Sequence, residues 1–158
     1  MVEFNEPAED HAGLVAWMDG FGAEIEALGF AAARDRFDPR VVTFSTYMDA
    51  VSGLDQFEEE QWRKVWPSAS GFRWRTEAMT SLLSPDRLMA TLALTFESTG
   101  YHEDGTGFAR PGRATFVLLR AALDAPWRGL HAHVSLQRGV PQVSYGERSA
   151  PGGHGDSR

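Results

Sequence analysis

Leu14, Val15, Trp17, Met18 and Phe21 recur at the spacing of one helix face. Asn5 can cap this helix, and Pro7 suits its first turn. A second stripe, Phe21, Ile25, Leu28 and Ala32, follows across Gly20 and Gly22, whose low helix propensity predicts a break. The stripe ends near Asp38-Pro39, because a residue before proline avoids the helical region. The β-branched and aromatic run Val41-Val42-Thr43-Phe44-Ser45-Thr46-Tyr47 reads as a strand. Ser52-Gly53-Leu54-Asp55 has the spacing of a capping box and opens a third helix reaching Trp66. Acids come first in it (Asp55, Glu58, Glu59, Glu60) and bases last (Arg63, Lys64), as the helix dipole prefers. Phe57, Trp62, Val65 and Trp66 form its apolar side, and Pro67 stops it.

Four strand-like runs follow: 72–82, 87–99, 113–121 and 127–137. Pro85-Asp86, Glu103-Asp104-Gly105 and Asp124-Ala125-Pro126 separate them. Helices first and a meander of long strands afterwards predict an α+β domain, with three N-terminal helices on one face of a curved antiparallel sheet. In the second run Leu88, Ala90, Leu92, Leu94 and Phe96 share one face, and Met89, Thr91, Ala93, Thr95 and Glu97 share the other. In the third, Ala114, Phe116 and Leu118 oppose Arg113, Thr115, Val117 and Leu119. Both faces are largely apolar, so both need cover. The helices cover one. A second subunit is the simplest cover for the other, which predicts a homodimer through the sheet.

Length fits one domain, 1–145, followed by a Gly-, Ser-, Pro- and charge-rich tail, 146–158, that reads as flexible. The formal net charge of −7 argues against nucleic acid, and no basic cluster suits an anionic membrane surface. The chain has no cysteine, which excludes disulfides, thiolate metal sites and a cysteine nucleophile. Met1 to Glu6 lacks the pattern of a signal peptide, and no apolar run approaches the ~18 residues of a membrane span. A cytoplasmic location is the expectation. No glycine-rich phosphate loop and no Ser/His/Asp arrangement stands out, so no cofactor is expected.

Two stretches carry a resemblance. Phe37-Asp38-Pro39-Arg40-Val41-Val42-Thr43-Phe44, with Val51-Ser52-Gly53-Leu54-Asp55-Gln56-Phe57 after it, resembles the segment of the nuclear-transport-factor-two-like superfamily where a strand leads into the third helix. Trp127-Arg128-Gly129-Leu130-His131-Ala132-His133-Val134-Ser135 is similar to the last strand of that superfamily, especially in the calmodulin-dependent kinase association domain. The superfamily is also called SnoaL-like or ketosteroid-isomerase-like. The resemblance covers residues 8–138 and implies a cystatin-like cone with a pocket between helices and sheet. Its members include isomerases, dehydratases, cyclases, transport factors and oligomeric hubs, so the fold leaves function open. The isomerases' catalytic carboxylate falls at Ser45 or Phe44, their second acid at Thr115 and their tyrosine at Phe21, so that machinery is absent. The hub's basic pocket residues fall at Ala93, Thr115 and Val134 and are not kept.

That register places Thr91, Ala93, Thr95, Glu97, Arg113, Thr115 and Val134 toward the pocket. Leu92, Leu94, Phe96, Phe116, His131 and His133 then fall on the dimer face. Simple packing logic favours the opposite assignment for Leu92, Leu94 and Phe96, but a dimer interface also takes large apolar residues, so the register's assignment is the expectation. His131 and His133 point the same way on a strand, which suits two metal ligands, but no third ligand is evident and an interface role is preferred. Arg113 and Glu97 suit anchoring and orienting a ligand carboxylate, or a rim salt bridge. Thr43, Ser45, Thr91, Thr95 and Thr115 supply hydroxyls. Trp17, Phe21, Trp62, Trp66 and Trp74 supply apolar walls or core, with Trp66 and Trp74 the better wall candidates. Asp38 and Asp49 fit a helix end and a turn better than catalysis. Three readings stay open: a pocket for a largely apolar ligand with a polar or acidic end, a proton-transfer enzyme using Glu97 and Arg113, and an oligomeric assembly module.

Overall fold

The computed structural model describes residues 7–150, so the expected Asn5 cap lies outside the described residues. Helix α1 (Ala8–Ala27) runs unbroken through Gly20 and Gly22, against the expected interruption. Close packing explains both glycines. A Cβ at Gly20 would lie 2.2 Å from the Arg36 guanidinium, and one at Gly22 would lie 3.1 Å from the Trp74 ring. The helix ends at Leu28, in the left-handed region with φ 55°, whose N–H closes onto the Glu24 and Ile25 carbonyls. A single turn follows as α2 (Phe30–Arg34).

The third helical segment, α3, covers residues 54–68. Phe57–Trp62 at its centre is π-helical, and Trp66–Ser68 tightens into a 3₁₀ turn containing Pro67. Half of the expected capping box forms: Gln56, not Asp55, reaches back to accept the Ser52 N–H at 2.9 Å. Asp55 instead pairs with Arg34 at 2.6 Å.

The strands are β1 (Phe37–Phe44), β2 (Val51–Ser52), β3 (Ser70–Trp74), β4 (Thr80–Leu83), β5 (Met89–Tyr101), β6 (Gly107–Ala109), β7 (Gly112–Leu119) and β8 (Arg128–Leu136). They form one sheet in the order β2-β1-β8-β7-β5-β3, with β4 and β6 also on β5. The sheet is mixed, because β1 runs parallel to β8. The expected single strand over 72–82 is two, β3 and β4, separated by the turn Thr76–Ala78. No described helix is long and apolar enough to cross a membrane.

The sheet face that meets the helices is Ala90, Leu92, Leu94, Phe96 and Ser98 of β5 with Ala114, Phe116 and Leu118 of β7. This corrects the assignment of Leu92, Leu94, Phe96 and Phe116 to a dimer face: all four are core. Large apolar area gains about 25 cal/mol per Å² when removed from water, so the bulkier face goes against α1. Phe116 packs edge-on to Phe21 and Trp17 of α1 at 6.1 Å each. Trp62, Phe37, Leu14, Met18 and Val41 complete a core with almost no exposure.

Two polar ties hold the cone's ends. At one end Asp10 accepts from Arg87 at 2.6 Å and from Arg120 at 2.9 Å, and Arg120 lies 4.2 Å over the Trp127 ring. At the other, the Glu26 carboxylate accepts the Gly71 and Phe72 N–H groups and fixes the start of β3 to α1.

Candidate functional site

Between α1, α3 and the inner sheet face lies a partly open cavity of about 60 Å³. That is room for roughly four waters or a molecule of similar bulk. Its walls are Phe21 and Ile25 of α1, Phe57, Trp62, Val65 and Trp66 of α3, and Phe72, Trp74, Phe96, Phe116 and Val134 of the sheet. The rings brace one another: Trp62 stacks on Trp66 at 4.8 Å, and Trp74 meets Phe96 and Phe116 edge-on at 5.4 Å. The π-helical turn brings Phe57, Gln61 and Trp62 to the same wall. Such turns are frequent at functional sites.

The polar groups of the wall are few. Gln61 is buried and engaged at both ends of its amide: its Oε1 accepts the Tyr47 and Met48 N–H groups, and its Nε2 donates to Thr46 Oγ1. It therefore holds the loop that presents Ser45 and Thr46 to the cavity. Arg148 is engaged at all three nitrogens, donating to the main-chain oxygens of Ala69, Glu26 and Trp66, and lies 3.9 Å from the Glu26 carboxylate.

Arg110 differs. Its side chain runs past Gly100, where an added Cβ would lie 2.9 Å from Arg110 Cδ. The residue is 4% exposed, and among the described residues it has no carboxylate partner. One Nη contact reaches the Gln142 carbonyl at a long 3.5 Å, and Nε has no acceptor. Burial lowers its pKa from the ordinary guanidinium value. Trp74 Nε1, also buried, lacks an acceptor as well. Arg110 and Trp74 both line the cavity and each leaves one buried N–H unmatched, whereas buried donors normally find partners. With Arg148 also lining the cavity, the wall carries positive charge in a chain of net charge −7.

The expected site residues divide. Phe21, Ser45, Trp66, Trp74 and Val134 line the cavity. Trp17 does not: it is core, packed on Phe37 and donating its Nε1 to the Trp127 carbonyl at 3.2 Å. Thr91, Thr95, Glu97, Arg113 and Thr115 are on the outer sheet face, a correction that follows from burying Leu92, Phe96 and Phe116 inward. Glu97 is half exposed and bound to Arg73 and Arg75 at 3.5 and 3.6 Å. Arg113 is exposed and donates to Ser135 Oγ at 3.2 Å. His131 and His133 flank Phe44 on that outer face at 5.4 and 5.5 Å, and His131 Nδ1 meets the Val42 carbonyl at 2.7 Å. Among the described residues no three metal-ligating side chains cluster.

Arg110, Gln61 and Arg148 escaped the sequence reading. Gln61 lies between Phe57 and Val65 at helical spacing, on the stripe that faces the core. Arg110 has the same parity as Gly112, Ala114 and Phe116, so it faces inward once Phe116 does.

No protein-family model matches the chain, and no curated protein matches it significantly in sequence. Solved structures do match in shape. A calcium/calmodulin-dependent protein kinase II association domain homologue from Xanthomonas campestris superposes with a TM-score of 0.66 at 19% identity, covering 89% of this chain and 94% of its own. A nuclear transport factor 2-like protein from Salmonella enterica gives 0.68 at 14% identity, covering 94% and 98%. A ketosteroid isomerase-like protein from Erwinia carotovora gives 0.68 at 14%, covering 82% and 98%. Helices over a curved mixed sheet, together with these superpositions, identify the chain's architecture as the cystatin-like, nuclear-transport-factor-two-like fold.

Proposed function

We propose that the cavity binds a compact organic acid, its apolar part among the aromatic rings and its carboxylate on Arg110. The observation that carries this reading is the buried Arg110 guanidinium, which has no carboxylate partner among the described residues and an unmatched Nε. An isolated buried charge costs several kcal/mol. A ligand carboxylate offsets that cost with charge-assisted bonds. Among the described residues the cavity wall holds no Asp, Glu, His, Lys or Tyr, so none of them supplies a base for proton transfer there. With Glu97 on the outer face, binding is favoured over isomerase- or dehydratase-type turnover.

Titration with acetate, propionate and butyrate, against the matching neutral amides, tests the assignment. The acids raise the melting temperature and the amides do not. At a hundred times its dissociation constant a bound acid adds about 2.7 kcal/mol. Equal shifts from acid and amide would show that charge is not what the cavity reads.

A second reading concerns the outer sheet face, as the surface of a homodimer. Val42, Phe44 and Met89 are each more than 40% exposed there, beside Ala93, Thr115 and His133. A second copy buries these apolar groups, and two of the similar structures are described as association domains. Sedimentation gives a dimer for the native chain and a monomer for Phe44→Glu. A native monomer at high concentration removes this reading.

A further inference from the structure

We infer that residues 142–148 form a detachable strap governing access to the Arg110 cavity. What passes beneath it rests on the acid-binding reading, but its detachment can be measured with no ligand present.

After β8 the chain turns back at Gln137, whose N–H bonds the Pro111 carbonyl, and then runs extended. Ser144, Gly146 and Arg148 are half-buried, while Val143, Tyr145 and Glu147 are exposed, the alternation of an edge strand. Main-chain bonds tie Tyr145 to Tyr101, Gly146 to Ser68 and Arg148 to Pro67. Ser144 Oγ bonds both the Tyr101 N–H and the Ser68 carbonyl. The strap therefore joins the end of β5 to the end of α3. Arg148 adds the Glu26 carbonyl in the last turn of α1, so its cation sits at two helix C-termini.

Two contacts place this segment at the cavity. The Arg148 side chain is part of the wall, and the Gln142 carbonyl holds the nearest acceptor position to Arg110. The strap has no large buried side chain, since Val143 and Tyr145 are both more than half exposed. The remaining walls are interlocked core aromatics, and the Ser45–Thr46 loop is bound to the buried Gln61. A segment held by hydrogen bonds without apolar burial is the first to open locally. Opening it withdraws Gln142 from Arg110, and closing it excludes water from the bound carboxylate.

Gly146 offers a test that changes no cavity residue. A Cβ there would lie 2.5 Å from the Ser68 carbonyl oxygen and 2.8 Å from the Tyr101 ring, so Gly146→Ala pushes the strap away. Arg148→Ala detaches it independently. Trp62, Trp66 and Trp74 line the cavity and report on access through acrylamide quenching of tryptophan emission. In both variants the Tyr145 and Gly146 amides lose hydrogen-exchange protection, quenching rises several-fold, and butyrate associates and leaves faster. Unchanged quenching with unprotected strap amides means the cavity opens elsewhere and overturns the proposal. Amides that stay protected in both variants overturn it as well. If native protein ignores butyrate while quenching still rises in the variants, the acid reading fails and the strap stands.

Discussion

Arg110→Met raises the melting temperature and sharply reduces the response to butyrate. The two effects share a cause. Arg110 is buried, its burial disfavours the charged form, and its Nε lacks an acceptor. Leaving a polar group unmatched in an apolar setting costs on the order of 1–3 kcal/mol, which an unbranched methionine recovers. The same substitution removes the charge-assisted bonds to the ligand. At about 1.5–3 kcal/mol, their loss weakens binding roughly ten- to a hundredfold. Trp74→Phe, which keeps a ring and removes one donor, produces a smaller loss. Glu97→Gln and Arg113→Met, on the outer face, change neither quantity. Differential scanning calorimetry with and without butyrate measures both effects. A destabilised Arg110→Met would instead assign the arginine a structural role through Gln142. A residue that costs stability in the free protein and is recovered by ligand is the signature expected of a binding site.

Asp10→Ala lowers stability on the order of 3–5 kcal/mol, because one buried carboxylate serves two arginines. Asp10 is 4% exposed, and the Arg120 side chain beside it is 6% exposed. Arg120 also donates to the Arg87 and Leu123 carbonyls, so it cannot turn to solvent without breaking those bonds. Removing the carboxylate leaves its charge buried with only neutral acceptors. For a chain of this size the melting temperature falls on the order of 10 °C.

The same pair sets a pH dependence. The hydrogen bond from Arg87, aided by Arg120, holds the Asp10 carboxyl below its ordinary value. A group whose folded pKa is depressed adds stability that is fully present above its unfolded pKa, about 4. That stability is lost as the pH falls through the folded pKa. Asp38 and Glu77, each lowered to about 2, contribute in the same direction, so the native curve alone does not isolate Asp10. The difference between native protein and Asp10→Asn does: it shrinks below about pH 4. A constant difference down to the lowest pH would mean that Asp10 is not ionised in the fold.

Arg110 and Arg113 show which property of the sheet is local and which is not. Arg113 and Arg110 lie on opposite faces of the same stretch of chain, three residues apart. Parity along β7 groups Arg113 with Thr115 and Arg110 with Phe116, and this grouping was legible from alternation alone. Which group faces the helices was not. Both faces of β5 and β7 are apolar enough to be covered, and shifting the choice by one residue exchanges every side chain. Family register put Thr91, Thr95 and Thr115 inside. Side-chain volume put Leu92, Phe96 and Phe116 there, and volume decided it because α1 offers Trp17 and Phe21 as partners.

Periodicity along the chain was enough for the helices-first order, the strand runs, the general fold and the aromatic walls Phe21, Trp66 and Trp74, since 3.6- and 2-residue repeats are local properties. The unbroken α1 needed the Arg36 and Trp74 side chains that fill the space beside Gly20 and Gly22. The parallel β1–β8 pairing and the strap over Arg110 join residues far apart in the chain, and no local repeat encodes such contacts. Arg110 is a candidate binding group only because those distant segments enclose it and offer no carboxylate in return.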